Sequence, residues 1–139
     1  MTTAMAESGH PPVLSALIVS GTFRTRWMYA KYLAWRGLQV RDVSTAAAAL
    51  DYLTAFTPDV IVIEGTPSDG TAADLARDIR SMPTLENVPV VRLESATFGR
   101  PSQDDGEWDV RLTVPCLPDQ LFEAMQQAVE RRRTIAEGT

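Results

Sequence analysis

The stretch PDVIVIEGTPSDG, residues 58–70, gives the clearest indication of the fold. Four consecutive aliphatic residues, 60–63, follow Pro58 and precede a turn that begins at Gly65 and ends at Gly70. An uninterrupted aliphatic run of this length is typical of a strand that is buried on both faces of a parallel sheet. The stretch therefore predicts a central strand that leads through a turn into a helix.

Similar apolar runs recur on both sides of this stretch, and helical patterns separate them. Strands are predicted over residues 14–19, 38–43, 60–63, 88–93 and 110–114. Helices are predicted over residues 24–36, from Ser44 or Thr45 to Phe56, from Thr71 through Ile79, and from Pro118 through Val129. Alternation of this kind predicts an α/β fold: a doubly wound, five-stranded parallel sheet with helices on both faces.

The first predicted helix has two stripes of large side chains. The predicted core stripe consists of Met28, Tyr29, Tyr32 and Leu33. The other stripe, with residues four apart, consists of Trp27, Lys31 and Trp35. Because tryptophan is enriched at binding hot spots, this second stripe is a candidate partner surface. The alternative is that its rings fold back over neighbouring loops.

The connection between the fourth and fifth predicted strands departs from the alternating pattern. Its sequence ATFGRPSQDDGEW, residues 96–108, has no helical period and contains Gly99, Pro101 and Gly106. Each of these residues makes helix formation less favourable by roughly 1–3 kcal/mol relative to alanine. We therefore expect an irregular loop, so that the helix of this crossover, the fourth of the fold, is degenerate.

Composition indicates a single soluble domain without a metal centre. The 139 residues are 45% hydrophobic and 22% charged, and the longest apolar run is too short to span a membrane. We expect a disordered arm over residues 1–12, a domain over 13–133 and a tail over 134–139. One cysteine, Cys116, and one histidine, His10, do not suffice for a zinc cluster, and no cofactor is predicted.

Charge and the amino-terminal sequence bear on the location and partners of the protein. A net charge of −5 argues against nucleic-acid binding, and the basic run 131–133 is interpreted as charge at a helix C-terminus. Residues 1–12 lack the pattern of a secretory signal, and no membrane association is predicted. A cytoplasmic location is expected.

Taken in order, these elements resemble the receiver domain of bacterial response regulators, the CheY-like family with flavodoxin-like strand order 2-1-3-4-5. The resemblance covers nearly the whole chain. It rests on Gly37 at the end of the first helix and on the segments LIVSGT (17–22), PDVIVIEGTPSDG (58–70), VPVVRLES (88–95) and VPCLPDQL (114–121).

The resemblance implies a phosphorylation pocket, and this sequence departs from the family pattern in that pocket. The family has a pair of acids after the first strand, a phosphoacceptor aspartate after the third, a hydroxyl residue after the fourth, and a lysine before a proline after the fifth. In that order, the residues here are Ser20 and Gly21, Glu64, Glu94, Val114 and Pro115. The turn after Glu64 is also about two residues shorter than in the family. The resemblance thus implies an atypical receiver, or pseudo-receiver, with no catalytic residues and no metal site.

The resemblance also indicates how the family's switch is altered. The moving hydroxyl and aromatic residues of the family correspond to Glu94 and Arg111, which we expect to form an ion pair or to be solvated separately. Glu64 and Glu94 end adjacent strands, so their carboxylates are expected to face one cleft. An arginine, first Arg111 and then Arg24, is expected within about 4 Å of one of them.

These residues predict a phosphorylation-independent signalling module, not an enzyme, in a bacterial pathway related to two-component systems. It would act through protein–protein contacts with a kinase, a phosphotransfer protein, an output protein or a second copy. An alternative is a pseudo-receiver that senses a small ligand in the degenerate cleft. A third hypothesis, phosphorylation of Asp69 or of a rearranged site, lacks both metal ligands and a cation.

Overall fold

A five-stranded parallel sheet forms the centre of the computed structural model, which describes residues 13, 15–95, 108–114 and 116–137. The strands are β1 (Ser15–Ser20), β2 (Gln39–Val43), β3 (Val60–Glu64), β4 (Val90–Ser95) and β5 (Val110–Val114). The helices are α1 (Phe23–Trp35), α2 (Ala46–Ala55), α3 (Ala72–Arg80) and α4 (Pro118–Glu137), with a 3-10 turn at Pro83–Leu85. The observed order β2-β1-β3-β4-β5 confirms the predicted fold class.

Two apolar layers cover the sheet, one on each face. Alternate residues of β1, β3 and β4 pack with α1 and α4 around Tyr29, Leu33, Leu121 and Met125. The residues between them pack with α2 and α3 around Ala49, Leu53, Leu75 and Ile79. All five residues of β3 are buried because this strand lies between both layers. The aliphatic run 60–63 is therefore the middle of the core, as its composition predicts.

The packing of α1 corrects one feature of the predicted core stripe. Tyr29 and Leu33 are buried as predicted, and Tyr32 is partly buried. Met28, assigned to the core from its spacing, is exposed. One residue along a helix corresponds to a rotation of about 100°, so orienting Tyr29 toward the sheet turns Met28 outward. The core side of α1 therefore consists of Tyr29, Tyr32 and Leu33, without Met28.

A buried carboxylate holds the amino-terminal ends of β4 and β5. Asp109 accepts hydrogen bonds from the Val90 amide at 2.8 Å, from Arg80 Nη2 at 3.1 Å and from Arg132 Nε at 2.7 Å. It thus joins the start of β4 to α3 and α4. The basic run 131–133 is not at a helix C-terminus, since α4 continues to Glu137, and Arg132 is an internal ion-pair partner. This helix also continues past residue 133, where the predicted domain ends.

The expected arm, residues 1–12, lies outside the described residues. So does most of the connection in which the crossover helix is predicted to be degenerate, residues 96–107. Its last residue, Trp108, packs on the α2–α3 layer.

We predict that Asp109→Ala lowers the free energy of unfolding by about 3 kcal/mol, because removing one partner of a buried ion pair leaves the others uncompensated. Urea denaturation followed by circular dichroism measures this change. Asp51→Asn, at an exposed position on α2, is the control and should stay within about 0.5 kcal/mol of the parent. Equal stability of the two variants would show that Asp109 does not fix the ends of β4 and β5.

Candidate functional site

The candidate site lies at the carboxyl edge of the sheet, where β1 and β3 end side by side. Ser20 and Glu64 are register partners, and both are buried, at 0% and 7% exposure. The Ser20 hydroxyl donates to Glu64 Oε1 at 2.5 Å, and the Thr22 amide donates to Ser20 Oγ at 3.1 Å. This short bond gives the buried hydroxyl and one oxygen of the buried carboxylate a partner within the protein. The first acid position and the acceptor position therefore form a closed pair.

Gly21, at the second acid position, lies against the loop that follows β3. Its amide donates to the Thr66 carbonyl at 3.0 Å. A Cβ at this position would lie 2.7 Å from the same carbonyl oxygen and 3.2 Å from the Ser68 amide nitrogen. The loop is held by a further bond from the Ser68 amide to the Ser44 carbonyl, at 2.8 Å. Any residue with a Cβ at position 21, aspartate included, would therefore require this loop to shift.

Arg92 is a site residue that the sequence analysis missed. This β4 residue is 5% exposed, and its Nη1 donates to the carbonyls of Ile63 at 3.2 Å, Gly65 at 2.7 Å and Leu93 at 3.1 Å. Its guanidinium also lies over the Trp108 ring, 5.4 Å from the centroid. A signal was present in the sequence, since an arginine inside an apolar central strand must be buried and must find acceptors.

Glu94 and Arg111 are brought together at the carboxyl ends of β4 and β5. Arg111 Nε and Nη2 contact both carboxylate oxygens, at 2.7–3.0 Å, in bidentate geometry. Glu94 is largely buried and Arg111 is partly exposed, while Arg92 Nε lies 3.8 Å from Glu94 Oε1. The shortest distance, 2.7 Å, is well within the expected limit of about 4 Å.

The expectation that Glu64 and Glu94 share one cleft is wrong. Glu64 is in register with Leu93, whose side chain belongs to the α1–α4 layer. Glu94 is the next residue, and successive side chains of a strand point to opposite faces. Each carboxylate therefore has its own partner on its own side of the sheet.

The second candidate arginine, Arg24, is on the exposed surface of α1. Another residue of α1 reaches the site instead: Arg26 donates to the Ser20 carbonyl at 2.8 Å and pairs with Asp42 at 2.9 Å.

The lysine position of the pattern is occupied by an apolar residue. Val114 is partly buried against the α1–α4 layer, and Pro115 lies outside the described residues. Beyond them, the Tyr29 hydroxyl donates to the Cys116 carbonyl at 3.1 Å, and burial raises the pKa of Tyr29 above its usual value. This contact ties α1 to the segment after β5 through neutral groups.

Asp69, the alternative phosphoacceptor, is engaged with the start of α2. Its two carboxylate oxygens accept from the amides of Ala46 at 2.6 Å and Ala47 at 3.1 Å. These bonds lower the pKa of Asp69. Thr45 Oγ1 accepts from the next amide, that of Ala48, at 3.0 Å. Asp69 thus completes the cap of a helix, as carboxylates often do at helix N-termini.

The candidate partner surface, Trp27, Lys31 and Trp35, is exposed on α1. Lys31 Nζ lies 5.8 Å from the Trp27 ring centroid, and Trp35 contacts Tyr32 with ring centroids 5.8 Å apart. The rings thus contact neighbours on their own helix and remain accessible.

The described residues contain no group of three or more His, Cys, Asp or Glu side chains placed to hold a metal ion. None of the described helices is long and apolar enough to cross a membrane.

We predict that Gly21→Asp, which restores a carboxylate at the second acid position, lowers the free energy of unfolding by about 1–3 kcal/mol, because its Cβ meets the Thr66 carbonyl. Chemical denaturation measures the loss. Gly70→Asp adds the same charge where no atom lies within 4 Å of the new Cβ, and it is the matched control. If both variants lose the same free energy of unfolding, the added charge causes the loss and the contact with the Thr66 carbonyl does not.

We predict that Glu94 and Arg111 are weakly coupled in stability, by about 0.2–1 kcal/mol, because solvent reaches the arginine. A double-mutant cycle with Glu94→Gln and Arg111→Gln measures this coupling. The exposed pair Asp74 and Arg77 provides a reference cycle. A coupling above about 3 kcal/mol would identify a desolvated pair instead.

Comparison with known proteins shows similarity in structure. No protein-family model matches the sequence, and no curated protein matches it. The signal receiver domain of a signal transduction histidine kinase from Syntrophus aciditrophicus has a TM-score of 0.74 and 20% identity, over 84% of this chain and 90% of that one. The chemotaxis response regulator CheY4 of Vibrio cholerae has a TM-score of 0.75 and 19% identity, over 84% and 99%.

A putative response regulator from Chloroflexus aurantiacus has a TM-score of 0.75 and 19% identity, over 86% of this chain and 100% of that one. These structures agree with the present one in the order of the strands and in the placement of helices on both faces of the sheet. The chain therefore has the fold of CheY-like response regulator receiver domains.

Proposed function

We propose that this chain is a phosphorylation-independent, receiver-like signalling module that acts by binding other proteins in a pathway related to two-component systems. The observation that carries the proposal is the contact between Gly21 and the Thr66 carbonyl, which fills the second acid position with backbone. The fold comparison supports the signalling context, and the filled position supports the loss of phosphorylation.

The donor set of this edge does not fit a magnesium ion. Mg²⁺ prefers octahedral oxygen ligands that include carboxylates. Glu64 provides the carboxylate where β1 and β3 end, and one of its oxygens already accepts a hydrogen bond from the hydroxyl of buried Ser20. Gly21 offers no side-chain ligand, and a Cβ added there would lie 2.7 Å from the Thr66 carbonyl oxygen. A phosphoryl group would also find Val114 where a balancing cation is needed.

The polar groups that replace this chemistry favour a single conformation. The guanidinium of Arg92 binds three carbonyls from β3, β4 and the turn between β3 and α3. Glu94 is held by Arg111 on the neighbouring strand. Each of these contacts would have to break before the ends of β3, β4 and β5 moved relative to one another. The module is thus better suited to a constant binding surface than to a switch.

The two alternatives have less support from the site. Phosphorylation of Asp69 would displace bonds to two helix amides, and the pKa of that residue is already lowered by them. A small ligand at the carboxyl edge would need space that the Ser20–Glu64 pair and the loop backbone at Gly21 already occupy. We therefore prefer the protein-binding module to the phosphoacceptor and to the ligand sensor.

The partner surface of this proposal is the stripe of Trp27, Lys31 and Trp35 on α1. Exposed tryptophans beside a cation supply the large rigid contacts typical of binding hot spots. A kinase, a phosphotransfer protein or an output protein would meet this stripe without competing with the buried carboxyl edge.

We predict that incubation of the full chain with acetyl phosphate and Mg²⁺ leaves its mass unchanged. Intact-mass spectrometry measures this, with a receiver domain that retains all of its acids and its lysine as the positive control. An acid-labile gain of one phosphoryl group would contradict the proposal. Glu64→Ala and Asp69→Asn would then show which carboxylate accepts the group.

A further inference from the structure

A groove at the amino-terminal edge of the sheet lies apart from the candidate site. It has a volume of about 450 Å³ and lies between the segments that precede β3 and β4 and residues 129–133 of α4. Its apolar lining consists of Pro58, Val88, Pro89 and Val129, with Pro83 beside them. Sites for small molecules usually have volumes of about 300–1,000 Å³ and a mainly apolar lining with a few polar groups. The groove therefore has the size and composition of a small-molecule site.

The polar lining of the groove includes side chains that the fold does not use. Thr57, Thr84 and Asn87 are exposed, and their side chains make no hydrogen bond within the described ranges. Two hydroxyls and one amide group are therefore available to an occupant of the groove.

Arg132 supplies the groove with a cation that is only partly neutralised. Its Nε donates to Asp109 Oδ1 at 2.7 Å, and Arg131 Nε lies 3.8 Å from the same oxygen. Neither arginine has a second carboxylate at ion-pair distance in the part of the chain that the structure describes. Two guanidiniums thus share one carboxylate, which leaves a surplus positive charge. Arg132 Nη2 also has no acceptor among the described residues.

The other charged groups of the groove limit the charge of its occupant. Arg133 pairs with Glu130 at 2.7 Å. Asp59 accepts a hydrogen bond from the Ser15 amide at 2.9 Å, so its carboxylate is engaged with the start of β1. Glu86 is exposed and has no cation at ion-pair distance within the described ranges. Two carboxylates near the surplus guanidinium favour an occupant with one negative charge over one with two.

The walls of the groove are held in place by arginines that bind backbone carbonyls. Arg80 Nη1 donates to the carbonyls of Leu85 at 3.1 Å and Val88 at 2.8 Å. Arg132 Nη1 donates to the Glu86 carbonyl at 3.4 Å. A site that is ordered before binding loses less conformational entropy when a ligand enters it.

We propose that this groove binds a small organic monocarboxylate. Arg132 binds the carboxylate, because a guanidinium presents several N–H donors in a plane that matches a carboxylate. The apolar body of the ligand packs on Pro58, Val88 and Pro89, and the uncommitted hydroxyls and amide bind its edges. This function is additional to the proposed protein binding, and the groove lies at the opposite edge of the sheet from the Ser20–Glu64 pair.

Titration of the full, ¹⁵N-labelled chain with hexanoate tests the proposal by nuclear magnetic resonance. Hexanoate is ionised at about pH 7. We expect saturable shifts of the amide resonances of Thr57, Thr84, Asn87 and Val88 and of the Arg132 Nε–H resonance. The expected Kd is about 1 mM, which is within reach of a ligand of this size.

Ligands matched to hexanoate separate the contributions of charge and apolar surface. Hexylamine and hexanol keep the apolar body but replace the anion with a cation or a neutral group. Acetate keeps the anion and removes most of the apolar body. All three should bind at least about tenfold more weakly than hexanoate. Hexyl phosphate, which carries up to two negative charges, should also bind more weakly, because the carboxylates of Asp59 and Glu86 oppose the second charge.

Three variants test the position of the site without removing a buried partner of Asp109. Thr84→Glu, which adds a negative charge to the groove, should raise the Kd for hexanoate at least about tenfold, whereas Glu86→Gln should lower it about twofold. Ala48→Glu adds the same charge at an exposed position on α2 and should leave the Kd unchanged. All three positions are exposed, so the spectra should show the fold unchanged.

Several results would overturn the inference. These are an absence of saturable shifts at the groove residues up to about 20 mM hexanoate, equal binding of hexylamine or hexanol, and tighter binding of hexyl phosphate. An unchanged Kd in Thr84→Glu, or an equal rise of the Kd in Ala48→Glu, would likewise show that the carboxylate does not occupy this groove.

Discussion

The burial of β3 along its whole length constrains the rest of this structure. Its apolar residues fill both layers of the core, and its last residue, Glu64, is buried with them. A buried carboxyl needs a partner, and Ser20 supplies a hydroxyl from the adjacent strand. The same requirement applies to Arg92, which binds carbonyls at the end of β3. The edge at which receiver folds perform chemistry is here occupied by groups that satisfy one another.

The strands could be predicted from the sequence because aliphatic runs identify a central parallel sheet directly. That Glu64 and Glu94 lie on opposite faces of the sheet could not be predicted, because the sequence placed each residue only at the end of its strand. Whether two such residues share a face depends on the register between strands, and a shift of one residue reverses the face. The Gly21 contact was equally hidden, since it depends on the path of the loop that carries Thr66.

The resemblance to receiver domains was most informative where the sequence departs from their pattern. Substitution of the acids and the lysine predicts an absence of chemistry, but it does not say what fills the space. In the structure, Ser20, loop backbone beside Gly21 and Val114 stand at those positions, and Glu94 has Arg111 as a partner. The polar groups of this site have partners within the protein, whereas a site that had only lost its ligands would leave its polar groups without partners.

The cluster around Asp109 has a consequence for how such a protein can diverge. It fixes the start of β4 to α3 and α4 from the amino-terminal edge of the sheet, opposite the edge at which Ser20 and Glu64 lie. This cluster thus lies apart from both the carboxyl edge of the sheet and the exposed surface of α1. Substitutions on the exposed surface of α1 leave this cluster untouched, so that surface can diverge with little effect on folding.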